Sequence, residues 1–234
     1  RSAGRGFTAP GRVAAWGELA GLLEFPRLLL RAPALARAPR GDGAPVMVLP
    51  GYATGDGATA PLRRYLTFLG HDARPWGLGR NDGDVPALLP RLVDGVRTLR
   101  RSSGRPVRLL GWSLGGYLAR EVSREIPGDV ERVVTLGSPV VGGPKYTLAA
   151  REYRRQGIDL DALEAVVDAR ESVPLTRPVS AIWSRRDGVV AWQACLDERN
   201  ACVEHLEVSS THVGMAFSPQ VWLLVAERLA TPVE

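Results

Sequence analysis

Gly111-Trp112-Ser113-Leu114-Gly115-Gly116 sets a serine between glycines two residues before it and two after. Alone this G-x-S-x-G pentapeptide is a weak signal. Its setting strengthens it, because an apolar strand enters and a helical pattern leaves, as a turn presenting a serine requires. A turn that tight leaves no room for side chains at 111 and 115, and Gly116 lets the helix lie against neighbouring strands. Ser113 is then expected in strained backbone geometry with its hydroxyl exposed. A serine hydroxyl is a poor nucleophile near neutral pH and needs a base.

The chain has three histidines. His71 sits in the turn Gly70-His71-Asp72, at the end of a sheet opposite the serine turn. His205 lies inside an expected strand between polar neighbours, which suits a surface or structural role. His212 falls in Ser209-Ser210-Thr211-His212-Val213-Gly214, after a strand and on the same edge as Ser113, and is the expected base. An imidazole used this way needs a carboxylate to fix its tautomer and stabilise its cation. Asp187, in Ser184-Arg185-Arg186-Asp187-Gly188, lies just past another strand's carboxyl end and is the first choice. A plain Asp-Gly turn is its bland alternative, and Asp197 is the reserve. Acyl transfer also needs donors for a developing oxyanion. The Leu114 N–H is one candidate. The second comes from Pro50-Gly51-Tyr52-Ala53, with Tyr52 preferred and Ala53 as the alternative.

The elements that must position these groups alternate. Strands are expected at Val46–Leu49, Ala73–Trp76, Pro106–Gly111, Val130–Leu136, Pro178–Trp183 and Glu204–Val208. Helices are expected at Pro61–Leu69, Val85–Arg101, Leu114–Ile126 and Pro219–Ala230. Strands apolar throughout and separated by helices indicate a parallel sheet covered on both faces. The alternation stops over residues 140–177, where two helical patterns stand without a strand. An insertion at the carboxyl end of a strand reads as a cap, and its shortness suggests an open pocket for modest acyl groups. Upstream, Val13, Trp16, Leu19, Leu22, Leu23, Leu28, Leu29 and Leu30 recur at helical spacing over 12–31, with a kink expected at Pro26. Ala- and Pro-rich residues 32–45 read as a linker. The division is therefore an N-terminal helical extension and linker over 1–44 and one α/β domain over 45–234.

Composition narrows the classes. The chain is 45% hydrophobic and 24% charged, which excludes a disordered or fibrous protein. A net charge of +5 raises nucleic-acid binding, but the densest basic stretch, Arg97 to Arg108, lacks aromatic interleaving or zinc ligands and reads as a solvated helix end. No nucleic-acid partner is expected. Cys195 and Cys202 cannot alone complete a four-ligand zinc site, so no metal is expected, and whether they are bridged stays open. No apolar run reaches membrane-spanning length. Arg27 and Arg31 flank the leucines, so a weak membrane-surface contact through the N-terminal helix is the alternative to packing on the domain. A cytoplasmic or membrane-peripheral address is expected over a secreted one; a leader removed ahead of Arg1 would be invisible.

Val48-Leu49-Pro50-Gly51-Tyr52, Trp76-Gly77-Leu78-Gly79-Arg80-Asn81, Gly111 to Gly116, Leu136-Gly137-Ser138-Pro139, Ser184 to Val190 and His212-Val213-Gly214 together resemble bacterial α/β-hydrolases of the esterase/lipase type. The resemblance runs over about residues 45 to 230, and the order Ser113, Asp187, His212 is that family's chain order. It implies an α/β-hydrolase fold, a mostly parallel sheet with helices on both faces and a short helical cap. It further implies a serine hydrolase that cleaves small-molecule or lipid esters through an acyl-enzyme, without a cofactor. An acyltransferase, a thioesterase or a cofactor-free haloperoxidase would use the same residues, and a non-catalytic binding protein could share the fold. One departure is Pro50-Gly51, where many lipases of this type carry His-Gly.

Overall fold

The computed structural model describes residues 7–232, without the side chains of residues 12, 13, 15 and 22. The side chains of Val13 and Leu22 of the expected apolar face, and the outer ends of the ranges 1–44 and 45–234, thus lie outside what is described. The N-terminal segment is not one helix kinked at Pro26. It runs as Arg12–Gly17 (α1), a 3-10 turn at Glu18–Leu23, Glu24–Leu30 (α2) and Ala32–Ala36 (α3). Pro26 falls in the first turn of α2, where its missing N–H has no intrahelical acceptor to lose, so the breaks come elsewhere. The expected linker is partly helical because Leu35 and Ala38 are buried in the main core.

The strands are Pro45–Leu49 (β1), Asp72–Pro75 (β2), Val107–Trp112 (β3), Val130–Leu136 (β4), Val179–Trp183 (β5) and Val203–Glu207 (β6). They form one sheet in the order β2-β1-β3-β4-β5-β6, and every neighbouring pair is parallel. Between them run Asp56–Phe68 (α4), Val85–Ser103 (α5), Leu114–Glu125 (α6), Ala150–Arg155 (α7), Leu160–Glu171 (α8), His212–Met215 (α9) and Pro219–Ala230 (α10). The α4 helix starts five residues before Pro61, which lies inside it. Its Asp56 accepts the Trp76 N–H at 3.1 Å, fastening that early start to the sheet edge.

Side chains alternate across each strand, so each strand feeds two cores. Val46 and Val48 face α4 and α10 together with Leu110, Val134 and Ile182. Met47 and Leu49 face α5 and α6 together with Leu109 and Val133. Burying a large aliphatic side chain contributes about 1.5–3 kcal/mol, so both layers hold the sheet firmly. The edge strands β2 and β6 are the more exposed ones, with polar residues at Asp72, Arg74, Glu204, His205 and Glu207. Residues 140–177 hold α7, α8 and a 3-10 turn at Gly143–Tyr146 but no strand of the sheet. Both cysteines are free thiols, Cys195 buried and Cys202 half-buried. The strand order reverses between β1 and β3, and open α/β sheets bind ligands in the crevice beyond the carboxyl ends of strands at such a point.

Candidate active site

Ser113 lies at that crevice, between β3 and α6. Its φ of 55° is one of two positive values among the described non-glycine residues, the other being Ala53. A Cβ at Gly111 would run into the backbone of Gly115, and one at Gly115 into the Leu49 carbonyl of β1. The two glycines therefore allow a turn that any side chain would open. The Ser113 N–H donates to the Leu136 carbonyl at 2.8 Å, tying the turn to the end of β4.

Asp187 follows β5 and His212 follows β6, and the structure brings them together. His212 Nδ1 lies 2.7 Å from Asp187 Oδ2, with both side chains almost fully buried. Asp187 Oδ1 accepts the N–H groups of Val189 at 2.9 Å and Val190 at 2.7 Å. Gly137, at a φ of 54°, passes beneath the pair; a Cβ there would stand 2.9 Å from Asp187 Oδ2 and 3.0 Å from His212 Nδ1. Burial disfavours the charged imidazole, but Asp187, by charge and hydrogen bond, and then Glu18 outweigh it and raise the His212 pKa above the ordinary value. Ser113 and His212 line the same cavity. No direct hydrogen bond joins them among the described residues, a separation common in unliganded catalytic sites.

The loop after β1 distinguishes its two candidate donors. The Ala53 N–H donates to the Asn81 carbonyl at 2.7 Å. The N–H groups of Tyr52 and Leu114 have no acceptor among the described residues. Asn81, fully buried, also donates from Nδ2 to the Pro50 carbonyl at 2.9 Å, so it braces the loop from behind. In the sequence Asn81 ends the stretch Trp76 to Asn81, with nothing there to mark this bracing contact. The other polar candidates lie elsewhere. His71 is buried at the opposite sheet end, beside Gly41, and His205 is exposed and accepts the Asp197 N–H at 3.0 Å. Asp197 pairs with Arg120 at 2.6 Å.

The cavity has a volume of about 920 Å³. Its walls include Tyr52 and Trp112, Val85 and Leu89 of α5, and Leu163 and Val167 of α8. Trp183 and Trp192 stack on each other at 5.1 Å, and Met215 is fully buried in the core. Among the described residues no group of three or more His, Cys, Asp or Glu is placed to hold a metal ion. One further carboxylate at the site is not marked by any sequence motif. Glu18 reaches in from the N-terminal 3-10 turn and accepts N–H groups of Gly188, His212 and Val213.

No protein-family model and no curated protein matches the chain. Solved structures do. A lipase of Bacillus licheniformis, BlEst2 in its mature form, superposes with a TM-score of 0.62 at 16% identity, covering 84% of this chain and 95% of its own. A structure from the study of LipS and LipT, two metagenome-derived lipolytic enzymes, gives 0.61 at 16% identity, over 82% and 93%. Aspergillus fumigatus lipase B gives 0.55 at 17% identity over 80% of this chain, which spans about half (52%) of that longer protein. At such identities the likeness is one of fold. With the parallel sheet and its two helical layers, it makes the fold of this chain that of the α/β-hydrolases, as the sequence implied.

Proposed function

We propose that the chain is a serine hydrolase of carboxylic esters working through a covalent acyl-enzyme. The observation that carries this reading is the Asp187–His212 contact at 2.7 Å, buried beside the cavity onto which Ser113 opens from a strained turn. Ser113 Oγ attacks the ester carbonyl carbon as its proton passes to His212 Nε2. The negative oxygen accepts from the free N–H groups of Leu114 and Tyr52. Collapse breaks the bond to the alcohol oxygen, which leaves with the proton from His212. Water then repeats the sequence on the acyl-enzyme, and the acid leaves with Ser113 restored.

The cavity sits at the upper end of the range for small-molecule pockets, roughly 300–1,000 Å³, and its walls are mainly apolar. That favours larger apolar acyl groups than the short insertion suggests. We assign residues 140–177 as the cap, since α8 supplies part of the wall, and residues 1–44 as an extension of the domain that begins at 45. The test is hydrolysis of p-nitrophenyl esters of rising acyl length, with fluorophosphonate labelling. Ser113→Ala should lose label and about 10⁶-fold in kcat; a Ser113→Ala protein that still hydrolyses the esters at the wild-type rate ends the reading.

A membrane-surface contact is favoured by one further observation. Trp16, Leu19, Leu23, Leu29 and Leu30 expose most of their side chains on the N-terminal segment, with Trp16 74%, Leu29 79% and Leu30 81% exposed. Arg27 and Arg31 stand exposed among them. Apolar side chains flanked by arginines suit the boundary of an anionic lipid layer.

A further inference from the structure

We infer that Glu18 is a positioning residue, holding the loops of Asp187 and His212 in register from the N-terminal extension. This rests on the hydrolase reading of Ser113, Asp187 and His212. Glu18 Oε1 accepts the N–H of Gly188 at 2.7 Å and that of His212 at 3.0 Å; Oε2 accepts the N–H of Val213 at 2.7 Å. One carboxylate thus joins the residue after Asp187 to His212 itself, across two loops that follow different strands. A charged acceptor makes hydrogen bonds about twice as strong as a neutral one.

The seat is built for this approach. A Cβ on Gly188 would collide with the Ala14 carbonyl of α1 and stand 2.9 Å from Glu18 Oε1. A Cβ on Gly21, in the same 3-10 turn as Glu18, would stand 2.7 Å from Thr211 Oγ1 and 2.8 Å from the Gly214 nitrogen. Thr211 Oγ1 in turn accepts the Gly214 N–H at 3.1 Å, which fixes the start of α9 and with it the His212 backbone. Backbone meets backbone on both sides of Glu18, so its carboxylate holds a fixed place rather than swinging in solvent. The charge also favours the imidazolium that forms during catalysis, alongside Asp187.

The test compares the full chain with Glu18→Ala and Glu18→Gln by two readouts. The first is the low-field proton NMR signal of His212 Nδ1–H, identified by its loss in Asp187→Asn. The second is kcat and KM on a p-nitrophenyl ester. Glu18→Ala should keep its circular dichroism, shift or lose the NMR signal, and lower kcat by about 100-fold, the size expected of a misplacement near 1 Å, with KM unchanged. Glu18→Gln keeps the chain length and one acceptor oxygen but turns its amide group toward at least one N–H. It should change the signal less and lower kcat by about tenfold.

Wild-type NMR signal and kcat in a folded Glu18→Ala would overturn the inference. If Glu18→Ala does not fold, Glu18→Gln decides by the same criteria. Should the wild-type protein neither hydrolyse esters nor take a fluorophosphonate label, the hydrolase reading fails, and the dependence of the NMR signal on Glu18 still decides the positioning role.

Discussion

Asp187 divides its carboxylate between its own loop and His212: Oδ1 is held by the Val189 and Val190 N–H groups, and Oδ2 stands 2.7 Å from the imidazole Nδ1. An ionised carboxylate only accepts, so the imidazole donates from Nδ1, and Nε2 is left as the acceptor. The two loop bonds stop the carboxylate rotating, which makes the orientation of the ring a property of the β5 loop.

Asp187→Asn should therefore separate geometry from chemistry. An amide oxygen can still accept from Val189 and Val190, which turns the amide N–H group toward Nδ1 and forces the wrong tautomer. The expected loss is about 10⁴-fold in kcat with little change in stability, as for the same change in a serine protease triad. Steady-state kinetics and thermal melts measure both; an Asn variant with wild-type kcat would remove Asp187 from the mechanism.

The pH dependence follows from the raised His212 pKa. Burial pulls it down, and the Asp187 and Glu18 carboxylates, the charged groups facing the ring, pull it up further. A base must be neutral, so kcat/KM should rise with pH through a limb above the ordinary histidine value of about 6.5. The sign for stability is opposite. A folded pKa above the unfolded one gives stability that is complete below the unfolded value and lost as pH rises through the folded value. Histidine NMR titration of wild type and Asp187→Asn checks this, with the variant expected to titrate lower. A limb below the ordinary value would contradict the geometry.

Much of this was readable from residue order. The serine turn announces itself because Gly111 and Gly115 have a steric reason to flank Ser113, and the strands announce themselves by unbroken apolar runs such as Val46–Leu49. The preference for Tyr52 over Ala53 draws support from a contact the sequence does not show, the Ala53 N–H held by the Asn81 carbonyl 28 residues away. Glu18 left no trace: an acidic residue in a helical pattern looks like a solvated face until the chain folds it against loops 170 and more residues later. The upstream helix boundaries are hidden for a local reason, since Pro26 is harmless in a first turn and the apolar spacing runs through a 3-10 turn unchanged.

Arg120 offers a test of what holds the α8 side of the cavity in place. It is fully buried on α6 and its Nη2 reaches Glu171 of α8 at 3.1 Å and Asp197 at 2.6 Å. Removing one member of a buried ionic cluster costs about 3–5 kcal/mol, because the remaining charges lose their compensation. Arg120→Ala should fall near the low end, since Arg124 still pairs with Glu171 and Asn200 with Asp197. Burial raises the Asp197 pKa, but Arg120 outweighs it and holds the group below the usual carboxylate range. Stability from such a group is present above its unfolded pKa and lost as pH falls through the folded one. Without Arg120 the folded-state pKa of Asp197 moves back up, so the variant, less stable at neutral pH, should lose less further stability than wild type as pH falls below the ordinary carboxylate range; urea titrations across pH would show this, and parallel curves would contradict it.

The exposed N-terminal leucines make the last prediction. Among the described residues no helix is long and apolar enough to cross a membrane. Leu29 and Leu30 sit at the end of α2 beside Arg31, and neither is covered by the domain. Each leucine that enters the lipid boundary contributes up to about 1.5–3 kcal/mol, so Leu29→Ser with Leu30→Ser should weaken binding to phosphatidylserine vesicles at least about tenfold. Raised salt should weaken wild-type binding further, since the arginines act through a screened charge attraction. Co-sedimentation with vesicles measures both effects. The serine pair should leave hydrolysis of a soluble ester unchanged, because neither leucine lines the cavity. Equal vesicle binding by wild type and the serine pair would assign these leucines no part in a lipid contact.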